Sequence, residues 1–215
     1  MRAAVLGAND GIVSTASLIV GVAAASDDRS VILIAGVAGL VAGAMSMAAG
    51  EYVSVSSQSD TERADLETER QALQEEPEGE LEELTRIYIR RGVDRSLARE
   101  VAVQLTEHDA LGAHARDELG ITETTSAQPV LAAVTSAASF SIGAILPLIA
   151  MMLTPIALAI PVVAATTLAS LALLGTLSAQ AGGAGVLKAA TRVTIWGAIA
   201  MALTAAIGSM VAGFV

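Results

Sequence analysis

Five apolar stretches, each long enough to cross a lipid bilayer, dominate this chain of 215 residues. They run roughly over 3–25, 31–55, 129–152, 155–180 and 189–215. A crossing takes about 20 residues at 1.5 Å of rise each, so all five are expected to be transmembrane helices. The connections "SDDRS", "LTP" and "AGGAGVLK" leave little room for anything but antiparallel neighbours. Hydrophobic residues make up 53% of the chain but aromatics only 2%. Bulk therefore comes from Ala, Gly, Val, Leu and Ile, the small and branched residues that let membrane helices approach closely. The first stretch is too long for the apolar part of a cleaved signal and leads straight into the second, so it reads as a retained helix.

Only the second connection is long, and it holds nearly all the charge. From Glu51 to Glu123 there are 19 acids and eight bases, out of 22 and 12 in the whole chain. The expected fold class is an all-α integral membrane protein with five transmembrane helices and an acidic helical domain inserted between helices 2 and 3. The expected divisions are 1–55 for the first two helices, 56–128 for the cytoplasmic domain and 129–215 for the last three. Within the insert, helices are expected over 62–74 and 80–91, broken at Pro77 and Gly79, with a rigid join to the spans on either side. Leu66 and Leu73 mark one apolar edge, and Leu81, Leu84, Ile87 and Tyr88 recur at helical spacing on another. Asp94 is placed to N-cap a third helix carrying Ala98, Val101 and Leu105. No strand pattern and no internal repeat stand out. Bases near the span ends put the N-terminus, the insert and the "VLKAATR" loop on one side, expected to be cytoplasmic, and the C-terminus outside.

Asp10, in "LGANDGIVSTASLIVGVAAA", is the sharpest sign of function. A carboxylate at the centre of a span costs about 2.5–3.5 kcal/mol on insertion scales and marks ion or proton paths. The structural alternative is that Asn9 or Asp10 caps a helix starting at Gly11, leaving a helix of about 22 Å, short for a crossing. In the second span Gly39, Gly43, Met47 and Glu51 follow at steps of four on one face. Such a stripe serves helix packing, or it brings a thioether and a carboxylate to a divalent metal together with Asp10. Glu80 and Glu83 stand one turn apart in the insert, and His114, Asp117 and Glu118 share a turn; solvated acidic helices have the same look. His108 reads as a surface residue.

Other chemistries lack their residues. Without cysteine there is no zinc ribbon, iron–sulfur cluster or thiol nucleophile. "GGAGVLKAAT" lacks the spacing of a phosphate loop. No nucleophile triad, paired Glu-x-x-His helices or basic aromatic groove for nucleic acid is present.

The chain resembles the vacuolar iron transporter family of iron and manganese exporters, in its bacterial branch. The resemblance rests on "NDGIVSTASLIVGV", "AGAMSMAAGEYVSVSSQ" and an acidic insert closed by "RDELGI". It implies a homodimer in the lipid bilayer whose interface carries the ion path. It also implies exchange of Fe2+ or Mn2+ for protons, no prosthetic group, no nucleic acid partner and a secondary transporter rather than an enzyme. Asp10 and Met47 match the family's path residues, while a path glutamate of plant members falls on Gly39, leaving Glu51 as a substitute. In the insert, Glu69, Glu80, Glu83 and Glu118 match metal-binding glutamates. One further glutamate position falls on Ala72 and a methionine pair on His114 and Ala115, so that His114 offers a nitrogen ligand instead.

The expected function is proton-coupled export of a divalent metal from the cytoplasm, gathered by the acidic domain and passed through a dimer-axis path. A bacterial plasma membrane is the expected location. The alternatives are a membrane-anchored metal sensor or scaffold that moves nothing, and a membrane-embedded ferroxidase.

Overall fold

The computed structural model describes residues 2–122 and 127–214, so Glu123 of the acidic insert lies outside the described residues. Among the described residues the chain is helical throughout, without strands. The helices are α1 (Arg2–Ala23), α2 (Arg29–Glu75), α3 (Pro77–Arg90), α4 (Arg95–Asp117), α5 (Pro129–Leu153), α6 (Ala159–Ala181) and α7 (Val186–Ala212), with a 3₁₀ turn at Ile156–Leu158 before α6. Five of them, α1, α2, α5, α6 and α7, are long and apolar enough to cross a membrane. The chain divides into two compact units, one of Met1–Tyr52 with Val130–Val215 and one of Val53–Pro129.

The first unit is built as membrane helices are built. Its α1 packs on α6 and α7, which pack on each other. Ala16, Ile19 and Val20 of α1, Ile32 of α2, Leu148 and Met151 of α5, Val163 of α6 and Met201 of α7 form one buried cluster. Close approach depends on missing side chains: a Cβ on Gly11 would overlap the Phe140 carbonyl, and one on Gly143 would overlap the Ala8 carbonyl. The backbones of α1 and α5 therefore touch, and dispersion between them replaces the hydrophobic drive that lipid does not supply. Leu6, Ile34, Val41, Ile142, Leu173, Trp196 and Leu203 point outward and are exposed. Hydroxyls along the spans fold back on their own helices: Ser139, Thr166, Ser170, Thr176, Thr194, Thr204 and Ser209 each donate to the carbonyl four residues earlier at 2.7–3.1 Å. In a medium without water this satisfies them locally. Arg29 donates to the carbonyls of Met151 (3.1 Å) and Met152, closing the C-terminal end of α5.

The second unit is a helical hairpin packed with the last part of α2. Pro77 starts α3 at a position where its missing N–H costs nothing. Gly92, at φ 95°, takes the chain through the turn, where a left-handed backbone suits only glycine readily. Asp94 then caps α4, accepting the Ser96 N–H at 2.9 Å. Leu84, Ile87, Ala102 and Ala113 are the buried centre, with Leu81, Tyr88 and Leu105 around them. Arg99 pairs with Glu82 at 3.3 Å and Glu78 at 3.8 Å, and Arg95 with Glu82 at 3.3 Å, which fixes the register of α3 against α4.

Two details differ from the sequence-based expectation. The second span and the helix expected at 62–74 are a single helix of 47 residues, since "SVSSQS" looks like a boundary but no Gly or Pro lies between Gly50 and Pro77 to break the ladder. The helix expected to begin at residue 80 begins at Pro77, with Gly79 inside its first turn.

Candidate metal sites

Asp10 lies in the middle of α1, with eight helical residues before it. This removes the reading in which Asn9 or Asp10 caps a helix starting at Gly11. Asp10 opens onto a cavity of about 200 Å³ formed by α1, α2 and α5. Gly39, Gly43 and Met47 of the α2 stripe line the same space, so the four-residue step of that helix and the carboxylate of α1 meet there. Phe140 closes it from α5, its ring lying where a side chain on Gly43 would otherwise be. A side chain on Gly39 would have to displace Leu18. Glu51 is half-buried one turn past Met47 and is not among the residues that line the cavity.

Three hydroxyls that spacing alone did not single out share this cavity: Ser14, Thr15 and Ser46. Ser14 stands four residues after Asp10, on the same helix face, a spacing that could have flagged it. Thr15 is the unusual one. It is 1% exposed, and its Oγ1 has no hydrogen-bond partner, whereas most hydroxyls of the spans bond back to their own helix. A carboxylate, a thioether and three hydroxyls around one small cavity form a mixed hard and soft donor set of the kind that suits divalent first-row ions.

The second candidate site belongs to the hairpin unit. One donor atom from each of Glu69 (α2), Glu80 (α3), His114 (α4) and Glu118, just past α4, lies within 4.8 Å of all the others. His114 is fully buried, and its Nδ1 is 2.8 Å from Glu69 Oε1, 2.9 Å from Glu118 Oε2 and 3.7 Å from Glu80 Oε2. The hydrogen bond of Nδ1 is with Glu118; Glu69 Oε1 sits off that direction and, like His114 Nε2, is buried without a hydrogen-bond partner. One ring nitrogen with at most one proton cannot satisfy three carboxylates. Burial first, then the negative charge of Glu118, push the Glu69 carboxyl above its ordinary value, with Glu80 adding to this and His114 opposing it.

A divalent ion fits this arrangement. Bonds of about 2.1–2.2 Å to oxygen and nitrogen put neighbouring octahedral ligands about 3 Å apart and opposite ones about 4.3 Å apart. The separations around His114 fall in that range. Carboxylates with one imidazole form a donor set for iron, manganese or zinc rather than for calcium or copper(I). Of the residues expected here, the structure brings Glu69, Glu80, His114 and Glu118 together. Glu83, half-buried one turn after Glu80, is outside the group.

Beside this group, Asp117 ties α4 to α3. Its carboxylate accepts from Tyr88 Oη (2.8 Å), Arg91 (2.7 Å) and Arg116 (2.9 Å), while Arg91 also stacks over the Tyr88 ring at 5.3 Å. Burial alone would raise its pKa, but the three donors outweigh it and hold the carboxyl at about 2. The nearby arginines are thus engaged by Asp117 and leave the charge around His114 uncompensated.

The VIT family model matches residues 1–209. A vacuolar iron transporter of Acanthamoeba castellanii is 49% identical over 97% of this chain and 77% of its own length. Vacuolar iron transporter homolog 1 of Oryza sativa subsp. japonica is 39% identical over 95% of the chain and 70% of its own. Vacuolar iron transporter homolog 4 of Arabidopsis thaliana is 36% identical over 95% and 80%. These relatives come from an amoeba and two plants and lend nothing to the expectation of a bacterial branch.

Proposed function

The chain belongs to the VIT family, and on that premise we propose that it is a membrane transporter of divalent metal, Fe2+ or Mn2+, working by exchange against protons. The observation that carries this reading is the cavity shared by Asp10, Met47 and Thr15 inside a span, where a carboxylate is costly and marks an ion or proton path. The ion is gathered from the cytoplasm by Glu69, Glu80, His114 and Glu118, gives up part of its water to Asp10 and Met47, and leaves on the other side.

Proton coupling comes from the donor chemistry. A carboxylate holds a proton or a divalent cation, and binding of one expels the other. Thr15 Oγ1 and the hydroxyls of Ser14 and Ser46 replace water around the ion without adding charge. Met47 supplies a soft, adaptable sulfur that disfavours Mg2+ and Ca2+, which take oxygen ligands.

Passage through a homodimer is supported by exposure. Asp10 is open at the surface of the single chain, and so are Val31, Ile34, Val37, Val41 and Met45 of α2. The apolar residues tolerate lipid, but an ionised carboxylate does not. A second copy covering the cavity removes that conflict and places two Asp10 side chains about one path. Bases near the span ends favour a cytoplasmic N-terminus and insert, with export as the direction.

The test is entry of Fe2+ or Mn2+ into sealed proteoliposomes carrying a metal-quenched dye, with an acidic interior. The unaltered protein is expected to take up metal faster with the proton gradient than without it, and Asp10→Asn to take up none. If correctly folded protein moves no metal in either condition, the transporter reading fails, and the acidic unit becomes the candidate for a sensor.

A further inference from the structure

We infer that Asp109, with Gly112, is the positioning residue that assembles the four-ligand group, by folding the last turns of α4 back along α3; this rests on the reading that the group receives the transported ion. The Asp109 carboxylate bonds the backbone of its own segment and is not one of the four clustered ligands.

The register of the hairpin makes the fold-back necessary. Arg99 of α4 pairs with both Glu78 and Glu82 of α3, which brackets Glu80 and sets it level with Arg99. His114 comes 15 residues after Arg99. In an unbroken helix it would stand about 22 Å further along the axis, at 1.5 Å per residue. Its Nδ1 is instead 3.7 Å from Glu80. Rotation gives the same answer. Ala98, Ala102 and Leu105 form the face of α4 toward α3, and at about 100° per residue a straight helix would turn His114 and Glu118 to the opposite side. Asp117 confirms the return path independently, because it bonds Arg91 and Tyr88 at the far end of α3.

All of this turning happens at one residue. Asp109, at φ −163° and ψ 88°, is extended inside an element otherwise helical. It is also the N-cap of the helical segment after the bend. Its Oδ1 accepts the Gly112 N–H at 3.0 Å, the third residue of the new segment, which is the bond an N-cap aspartate makes. The lack of a side chain at Gly112 leaves room for this bond, since a Cβ there would push the Asp109 carboxylate out of its place. The pair Asp109 and Gly112 therefore stops one helix, starts another and holds the angle between them, so that Glu69 and Glu80 meet His114 and Glu118.

The chain has no cysteine, so two can be added for spin labels. Glu100→Cys and Ile121→Cys, an exposed and a half-buried position on either side of the bend, are made in the full protein in nanodiscs. Distances between the labels are measured alongside Mn2+ binding, read as loss of the free-ion signal. In the unaltered background the labels are expected far closer than the about 31 Å that 21 residues of straight helix would span. Asp109→Leu with Gly112→Ala, two helix formers, is expected to lengthen that distance and weaken Mn2+ binding roughly 10–100-fold, the range seen when a ligand's support is lost. Asp109→Asn, which caps equally well, is expected to keep both. Full Mn2+ affinity in the double variant would overturn the inference, as would Asp109→Asn behaving like the double variant. If the unaltered protein binds no Mn2+, the metal reading itself falls and takes this role with it, a result distinct from equal binding by every variant.

Discussion

His114 Nδ1 and Glu69 Oε1 are 2.8 Å apart, a histidine with no exposed surface against a carboxylate that is 7% exposed, brought together from α4 and α2. Glu118 and Glu80 approach the same nitrogen, so the group is held at close quarters with more negative charge than it can neutralise. Without metal, burial first and then the charge of Glu118 hold the Glu69 carboxyl above its ordinary value. The stability that comes from a raised carboxyl is present below the unfolded value and is lost as pH rises through the folded one. In chelator, the melting temperature is therefore expected to fall as pH rises above about 4.3, the ordinary glutamate value. Excess Mn2+ should reverse the trend, because the ion takes the place of the proton. Glu69→Gln is expected to flatten the slope in chelator and weaken Mn2+ binding at least about tenfold. An unchanged slope in that variant would separate Glu69 from the effect.

Asp117 carries the opposite sign. Three donors lower its carboxyl from 3.8 to about 2, so its contribution to stability is present above about 4 and lost as pH falls from there through about 2. The shift corresponds to about 2 kcal/mol at neutral pH. Asp117→Asn is expected to destabilise the hairpin unit by that order, seen as earlier protease cleavage between α3 and α4, and to lower Mn2+ affinity through the neighbouring Glu118. If cleavage is unchanged at pH 7 while Mn2+ binding falls, Asp117 supports the ligand directly rather than the hairpin.

Gly43 and Phe140 form a pair in which one side chain occupies the room left by the other. Phe140 is 2% exposed, so its ring has little free space to move into except the cavity beside Asp10 and Met47. Gly43→Ala is expected to cost about 1–3 kcal/mol through overpacking and to cut metal flux by pushing the ring into that cavity. Phe140→Leu in the same background should recover flux, as it returns the volume. Flux that stays at the unaltered level in Gly43→Ala would show that the cavity is not part of the path.

The parts legible in the sequence are those set by hydropathy and local spacing. Five apolar stretches became five candidate spans, and the alternation of Leu81, Leu84, Ile87 and Tyr88 became the packed face of α3, because burial in lipid or against a neighbour selects on composition at helical period. Asp94 was legible as a cap for the same local reason. Glu69, Glu80, His114 and Glu118 were named together only through a resemblance, since three-dimensional proximity of residues up to 49 positions apart leaves no mark in spacing. The bend at Asp109 was missed, although an aspartate with a glycine three residues later is a local signal for a cap inside a helix. Thr15 was missed because its value lies in a bond it does not make, which only the structure reveals.

That missing bond gives a prediction with two readouts. Thr15 Oγ1 is buried in a span with no partner, so it contributes nothing to stability as it stands and incurs the cost of desolvation. Thr15→Val keeps the shape of the side chain and removes the hydroxyl. Thermal stability is expected to be unchanged or slightly raised, by up to about 1 kcal/mol, since an unsatisfied buried polar group is lost. If the hydroxyl serves the ion beside Asp10 and Met47, metal uptake into proteoliposomes should nevertheless fall, and half-saturation should move to higher metal concentration. A residue of purely structural value would lose stability and activity together, so a variant that is as stable as the unaltered protein but slower places Thr15 on the path. Full uptake with unchanged half-saturation would mean that Asp10 and Met47 hold the ion without it.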